Sequence, residues 1–375
     1  MAITRIANIA STIPDDSIAN VKMSNIVQSK NIIINGGMDI SQRGTSFTGL
    51  TNGSSDYTVD RFRFNESGSM TSVFTFSQDT DVPSGQGFAK SLKIQNTTAG
   101  SGHNVVEAIQ FIEAQNLQYL KFGTSSAKNL TLSFWVKCSE TGTGNVSIYN
   151  LDATRQIAKN YTINSANTWE KKTLSIPGDT SGSFNNDNGA GLGIYFALAA
   201  SSGYNGGTPG SWGSYSDGLR GAGMTIDLTN STSDNIYITG VQLEAGDTAS
   251  DFEFLPVDVQ TQRCLRYYET SMTYGDLSQY AGQKVVYGNA GTSFGASSTT
   301  ADGRQYKVWK RAAPTITIYH QDGTSGAVYT IYNAAKITGV VAAHINESGF
   351  LFISKTSSFA TGYGYYYGYT ANSEL

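Results

Sequence analysis

The feature that constrains this fold most is a regular alternation of apolar and polar residues within short runs. In LTLSFWVK, the residues Leu130, Leu132, Phe134 and Val136 recur at every second position. A period of two places them on one face of a β-strand. LGIYFAL repeats the pattern over 192–198. The alternation predicts strands that bury one face, with Phe134 in the core.

Clusters of turn residues separate these runs, at 35–37, 84–87, 141–144 and 177–179. The chain has 41 glycines among 375 residues, and only 14% of its residues are charged. This composition disfavours helices, which are rich in alanine, leucine, glutamate and lysine. Short strands joined by such turns predict an all-β chain, an antiparallel sandwich or barrel.

Two stretches depart from simple alternation. In NIYITGVQLE the apolar phase shifts between 236–238 and 241–243, which predicts a β-bulge at Gly240. EAIQFIEAQNLQYL fits both a strand and a helix. We predict a strand through about Ile112, followed by a short helical turn.

The chain divides into three predicted parts. Residues 1–30 show no strong period, and we interpret them as an attachment arm with a possible short helix after Asp15, Asp16 and Ser17. The strand pattern of 31–256 breaks at Pro256, where a polar connector is expected. Residues 257–375 then form a second, smaller β-sandwich of ordinary domain size.

Charge and cysteine content exclude several classes of protein. A net charge of −4 gives no general basic surface for nucleic acid. No apolar run is long enough for membrane insertion, and the first residues lack a secretory signal. Cys138 and Cys264 lie in strand-like surroundings and are predicted to be buried thiols. We therefore expect synthesis in a reducing cytoplasm and no cofactor.

Several segments, in this order, are similar to tail-fibre proteins of tailed phages, especially marine ones. NIIINGGMDISQRGTSF and YTVDRFRF resemble the start of a β-sandwich domain of these proteins; LTLSFWVKCSETGTGNVSIY and NIYITGVQLEAGDTASDFEFLP resemble its middle and end. QRCLRYYE, KRAAPTITIY and YTANSEL resemble their C-terminal unit. The resemblance implies a jelly-roll domain akin to carbohydrate-binding modules, on a virion appendage that is usually trimeric.

No catalytic or metal site is predicted. The three histidines lie in different segments without metal-ligand spacing: His103, His320 and His344. A GxSxG match at 291–295 is followed by loop-like sequence, whereas a nucleophile elbow needs a helix directly after the serine. We interpret it as an ordinary turn.

Carboxylates need separate attention, because phage fibres can degrade polysaccharides and a glycosidase pair can come from distant strands. Two pairs of aspartates are closely spaced in the sequence: Asp56 with Asp60, and Asp247 with Asp251. Roles in turns and helix caps explain these pairs better than a catalytic role does. We expect a structural ion pair between Arg43 and Glu244. The turn at 185–188 is expected to be solvated, although its oxygens could hold calcium.

Aromatic residues give two candidate contact surfaces. The glycine-rich segment 201–223 has no apolar period yet contains Tyr204, Trp212 and Tyr215. Sugars stack on exposed rings, so these three are the predicted ligand-binding residues, the alternative being rings that pin the loop. At the C-terminus, the residues on one face of a predicted strand form an interface between subunits or with a bacterial surface: Tyr363, Tyr365, Tyr367 and Tyr369.

The leading hypothesis is a non-enzymatic, homotrimeric virion fibre subunit that binds a host surface glycan. Its arm, residues 1–30, would contact other virion proteins. Two alternatives stay open: a capsid decoration or head-fibre protein without a receptor role, and a polysaccharide-degrading enzyme.

Overall fold

The computed structural model describes residues 30–271, 288–289, 299–320, 322–330, 335–355 and 364–375. Strands dominate this part of the chain, and all their pairings are antiparallel. The prediction of an all-β, antiparallel fold is confirmed. Residues 1–29 of the predicted arm and the whole GxSxG match lie outside the described residues.

The larger unit is a sandwich of two six-stranded sheets. Sheet 1 contains, in spatial order, β1 (Ser46–Leu50), β3 (Val73–Asp79), β4 (Ser91–Thr98), β12 (Asn235–Ala245), β6 (Leu130–Cys138) and β9 (Glu170–Ile176). Sheet 2 contains β11 (Gly213–Ser214), β8 (Arg155–Ile163), β7 (Gly142–Asn150), β10 (Ala190–Ala200), β5 (His103–Glu113) and β2 (Arg63–Gly68). The chain passes repeatedly from one sheet to the other, as in a jelly roll.

The core lies between the two sheets and is built from the residues that alternate in the sequence. Phe134 of β6 is fully buried, and its ring meets the rings of Tyr161 and Phe196 edge to face at 5.2 Å. The apolar residues of 192–198 on β10 are buried opposite. The predicted core faces of both strands are confirmed.

The two irregular stretches are also as predicted. The register of β12 against β6 shifts between Thr239 and Gln242, and Gly240 there has a φ of +61°. A Cβ atom at Gly240 would lie 2.6 Å from the Phe88 ring, so glycine suits both the bulge and its packing. β5 ends at Glu113, and a 3₁₀ helix follows over Ala114–Leu120.

Short helices connect the remaining elements. The helix α1 (Ser202–Asn205) and a 3₁₀ turn (Asp217–Leu219) lie in the glycine-rich segment. Where a polar connector was expected after Pro256, the chain forms a helix, α2 (Val257–Leu265). Proline is tolerated at a helix start because the first backbone N–H groups have no partner in the helix.

The smaller unit has three sheets around its own core. The first sheet contains β13 (Tyr268–Thr270), β22 (Gly368–Asn372) and β16 (Thr315–Tyr319). The second contains β14 (Gly288–Asn289), β21 (Gly364–Tyr366), β17 (Ala327–Thr330) and β18 (Ala335–Thr338). The third contains β15 (Thr299–Gln305), β20 (Gly349–Lys355) and β19 (Val340–Ile345). Its buried cluster includes Ile318, Val328 and Phe350.

The last residues of the chain lie against the larger unit. The Glu374 carboxylate pairs with Arg43 at 3.1 Å and with Arg61. These two guanidinium groups stack on the rings of Tyr268 and Tyr267, at 3.6 and 3.5 Å from the ring centroids. The predicted Arg43–Glu244 ion pair is wrong.

Glu244 instead accepts hydrogen bonds from the backbone and hydroxyl of Ser250 on the turn after its own strand, at 2.8 and 2.7 Å.

Both cysteines, Cys138 and Cys264, are buried free thiols, as predicted. Among the described residues, no helix has the length and apolar character needed to cross a membrane.

Candidate functional site

The side chains that point away from the core on sheet 2 form a cleft lined by aromatic rings. Tyr149 of β7, Tyr195 of β10 and Phe111 of β5 have the opposite parity to the core residues of their strands. Tyr215, just after β11, completes the set. The cleft has a volume of about 440 Å³, and we call it the tyrosine cleft.

The rings of the tyrosine cleft form a continuous row. The Tyr195 ring meets the Phe111 ring edge to face at 5.9 Å and lies 6.4 Å from the Tyr149 ring. Tyr149 and Tyr215 have their ring centroids 4.8 Å apart. Gly193 pairs with Tyr149 across the sheet, and a Cβ atom there would lie 2.5 Å from the Tyr195 ring. The missing side chain at Gly193 therefore gives Tyr195 the space to lie in the row.

Polar groups surround this row. The Glu107 carboxylate is fully buried and accepts two hydrogen bonds from Arg220, of which that from Nε to Oε1 is 3.0 Å, and one from Asn65 at 3.2 Å. Gln156 donates to the Ser147 hydroxyl at 2.6 Å. Amide and guanidinium groups of this kind can orient the hydroxyls of a ligand.

The ion pair between Glu107 and Arg220 also fixes the loop that forms one wall. Arg220 follows the 3₁₀ turn of the glycine-rich segment, whereas Glu107 belongs to a central strand of sheet 2. Burial raises the pKa of Glu107, and the adjacent Arg220 opposes that rise. Because Arg220 and Asn65 occupy both carboxylate oxygens, Glu107 is poorly placed to transfer a proton.

The hydroxyls of Tyr195 and Tyr215 stay protonated over the ordinary pH range. Burial raises the pKa of Tyr195 and that of Tyr215. The Tyr215 hydroxyl donates to Asp217 at 2.7 Å, and 37% of the residue's surface is exposed. The rings thus combine apolar faces with neutral polar ends, which suits contact with the CH faces and hydroxyls of a sugar.

The three predicted ligand-binding residues do not form one site. Tyr215 lines the tyrosine cleft. Tyr204 is half-buried in α1, with the Arg220 guanidinium 5.7 Å from its ring centroid. Trp212 is half-buried and packs against the core, where its ring meets Phe122 edge to face at 5.8 Å.

Sequence reasoning missed Tyr149, Tyr195 and Phe111, which lie on strands that it used only for their core faces. The sequence did contain a pattern that marks these three residues, because large aromatic residues occupy outward positions of strands whose other face is apolar. No sequence pattern indicated the contacts of Glu107 with Arg220, since 113 positions separate the two residues.

The predicted tyrosine face at the C-terminus is only partly described. Tyr363 lies outside the described residues, and only the backbone of Tyr365 is described. Tyr367 and Tyr369 are 2% and 5% exposed and belong to the core of the smaller unit. Within the single chain these two rings fill a core, so the prediction that they form a contact surface needs correction.

Several of the remaining polar candidates have local structural partners. Asp60 is buried and accepts two hydrogen bonds from Gln42, at 2.8 and 2.6 Å. Asn185 binds Asp152, and Asp187 accepts from the backbone of Gly189. Across the described ranges, no three histidine, cysteine, aspartate or glutamate side chains come together as a metal site would require.

Trp212 gives a first prediction. Its indole N–H donates to the Pro177 carbonyl at 2.6 Å, and the Phe122 ring that it contacts is stacked on Phe184. Replacement by alanine, Trp212→Ala, should lower the free energy of unfolding by about 2 kcal/mol, through lost packing and a lost hydrogen bond. Urea denaturation measures this; an unchanged midpoint together with weaker glycan binding would make Trp212 a binding residue instead.

No protein-family model and no curated protein matches the chain. Solved structures with a similar fold include the enzymatically active domain of tailspike protein 4 from bacteriophage CBA120 (16% identity, TM-score 0.33, 58% of this chain and 21% of that one). A xylan-binding domain from CBM 22 has 12% identity and a TM-score of 0.29, covering 56% of this chain and 99% of that domain.

A family 11 carbohydrate-binding module from Clostridium thermocellum, in complex with a mixed-linked tetrasaccharide, has 10% identity and a TM-score of 0.28, covering 54% of this chain and 98% of the module. The chain spans about a fifth of the tailspike chain. Because every identity is below 25% and every TM-score is below 0.5, we transfer no function from these structures.

Proposed function

We propose that the chain is a subunit of a phage tail fibre or related virion appendage, and that it binds a host surface glycan in the tyrosine cleft. The observation that carries the binding part is the row of four rings, from Phe111 to Tyr215, flanked by amide and guanidinium groups. Sugar rings bind to this combination through stacking and hydroxyl contacts. The virion part is supported by the ordered resemblance of the sequence to tail-fibre proteins.

The proposal is for binding without catalysis. A glycosidase needs one carboxyl that can donate a proton and a second carboxylate across the scissile bond. In the tyrosine cleft, the fully buried Glu107 is neutralised by Arg220 and holds Asn65. This arrangement supports a structural role for Glu107.

The proposed assembly is a homotrimer, which the resemblance supports. Three clefts on one fibre would raise the avidity for a repetitive glycan even if each binds weakly. Sedimentation that gives only a 40.1 kDa species at micromolar concentration would contradict the trimer.

Glycan binding is tested by removing the central ring. Tyr195→Ala deletes the ring that contacts both Phe111 and Tyr149. One stacked aromatic face contributes about 1–2 kcal/mol, so the dissociation constant should rise by about tenfold. Titration calorimetry against soluble xylan, a mixed-linkage β-glucan and polysaccharide purified from a candidate host surface measures this change.

The matched control is Tyr237→Ala. Tyr237 is a half-buried tyrosine on β12, and its ring lies 6.2 Å from Trp169 on the outer face of sheet 1. Its replacement should leave the dissociation constant unchanged. Equal losses in the two variants, or no binding of any polysaccharide by the unaltered protein, would overturn the proposed function.

A further inference from the structure

A row of residues that crosses the floor of the tyrosine cleft ends in a positive charge. On β5, Ile109 pairs with Tyr195 of β10 on one side and with Arg63 of β2 on the other. Neighbouring strands lie about 4.8 Å apart, so the backbones of Arg63 and Tyr195 are separated by about 10 Å. Ile109 is 1% exposed and forms the floor between them. Arg63 therefore lies across one residue from the central ring of the proposed site.

The side chain of Arg63 belongs to the cleft face of sheet 2. Side chains alternate along a strand, and Phe64, the next residue of β2, is part of the core. Asn65, two positions after Arg63, lines the cleft. The Arg63 guanidinium lies 5.8 Å from the centroid of the Phe111 ring. It therefore extends the row of four rings at the Phe111 end.

The positive charge of Arg63 has no acidic partner within the part of the chain that the structure describes. Its Nη2 group donates to the hydroxyl of Ser55, which is a neutral acceptor. Its Nη1 group makes no hydrogen bond to any described residue and, unlike the enclosed Nε, is not shut off from solvent. Arg220, the other arginine of the cleft, is neutralised by the Glu107 carboxylate. Arg63 thus brings an uncompensated positive charge and a free donor to the cleft.

The acidic side chains near the cleft are engaged away from Arg63. Glu66 has the opposite parity on the same strand, and its carboxylate accepts the backbone N–H of Gly53 at 2.8 Å. Asp217 lies at the other end of the row, where it accepts the Tyr215 hydroxyl at 2.7 Å. The net charge of the chain is −4, but salt screens exposed charges that are more than about 8 Å apart, so the local charge decides what binds.

We propose that the tyrosine cleft binds an acidic glycan, and that Arg63 determines this specificity by binding the carboxylate of a sugar stacked on the adjacent rings. This inference rests on the proposed glycan-binding function and names its ligand class: a polysaccharide that contains uronic acids or similar carboxylated sugars. Hydrogen bonds between a guanidinium and a carboxylate are roughly twice as strong as neutral ones. A neutral sugar can stack on the same rings, but it leaves the charge of Arg63 unpaired.

The test compares acidic and neutral polysaccharides by calorimetry on the full chain. Polygalacturonate and alginate are the acidic probes, and xylan and mixed-linkage β-glucan are the neutral ones. The unaltered protein should bind at least one acidic probe about tenfold more tightly than either neutral probe. Arg63→Gln removes the charge and keeps an amide donor, so it should reduce this ratio by about tenfold, through weaker binding of the acidic probe alone. Arg63→Lys keeps the charge without the planar guanidinium and should retain part of the ratio.

The matched control is Lys171→Gln. Lys171 is an exposed residue of β9 in sheet 1, so its replacement removes the same charge without touching the cleft. It should leave the ratio unchanged, and thermal denaturation should show that the variants are folded. A second measurement needs no variant: the affinity of the unaltered protein for the acidic probe should fall about tenfold between about 50 mM and about 500 mM sodium chloride.

Three results would overturn this inference and leave glycan binding intact. They are an unaltered ratio in the folded Arg63→Gln variant, tighter binding of a neutral probe by the unaltered protein, and an affinity for the acidic probes that salt does not change. Failure to bind any of these probes or the polysaccharide of a candidate host would overturn both proposals.

Discussion

Replacement of Glu374 by alanine should lower the free energy of unfolding by about 3–5 kcal/mol, the usual cost of leaving a buried charge without its partner. The side chains of Glu374, Arg43 and Arg61 are 4%, 10% and 1% exposed, so water cannot take the place of the lost carboxylate. Arg43 would keep a 3.9 Å contact to Asp60, and Arg61 a 2.6 Å hydrogen bond to the Phe111 carbonyl. Neither contact replaces the pair.

Urea denaturation of Glu374→Ala beside Glu347→Ala measures this effect. Glu347 is an exposed glutamate in the same smaller unit, and its replacement should cost no more than about 0.5 kcal/mol. A loss of less than about 1 kcal/mol for Glu374→Ala would show that the last residues do not hold the two units together.

Replacement of Phe134 by alanine should cost about 3–5 kcal/mol, because it leaves a cavity between the two sheets of the larger unit. The ring is fully buried and touches Tyr161 of β8 and Phe196 of β10, so its removal affects both sheets at once. Chemical denaturation followed by circular dichroism gives the free energy of unfolding of the unaltered protein and of Phe134→Ala.

The matched control for Phe134→Ala is Phe254→Ala. Phe254 is 55% exposed and contacts Phe88 and Phe252 at the surface, so its loss should cost less than about 1 kcal/mol. Equal costs for the two variants would mean that the core face of β6 is wrongly assigned.

The strands and their buried faces could be predicted because they depend on local order. Alternation identifies the core side of β6 and β10, and a phase shift with a glycine identifies the bulge in β12. These features follow from the two-residue period of a strand, which any folded arrangement of the chain must respect. The helix α2 was missed because the polar sequence after Pro256 has no strong apolar period.

The site could not be predicted because register and topology bring its residues together. Tyr149 and Tyr195 meet only through the pairing of β7 with β10, and Arg220 reaches Glu107 from a loop 113 positions away. Composition showed that the glycine-rich segment differs from the strands, because it contains aromatic residues but no apolar period. It did not show that Tyr215 faces a cleft while Trp212 packs inward onto Phe122.

The C-terminal tyrosines illustrate the same limit. Their spacing predicts a shared strand face, but whether that face meets solvent or a core depends on strands far away in the sequence. Tyr369 donates a hydrogen bond to the buried Glu269 at 3.0 Å, and its ring meets Phe350 edge to face at 5.4 Å. These contacts within the chain explain why the residue is buried without a second subunit.

The central claim, that a glycan binds in the tyrosine cleft, is tested most directly by a crystal structure of the full chain with an oligosaccharide. The ligand would be a fragment of whichever polysaccharide binds most tightly in calorimetry. We predict sugar rings stacked on Tyr195 and Tyr149. Sugar density confined to another surface, such as the cavity lined by Phe122 and Phe184, would contradict the account.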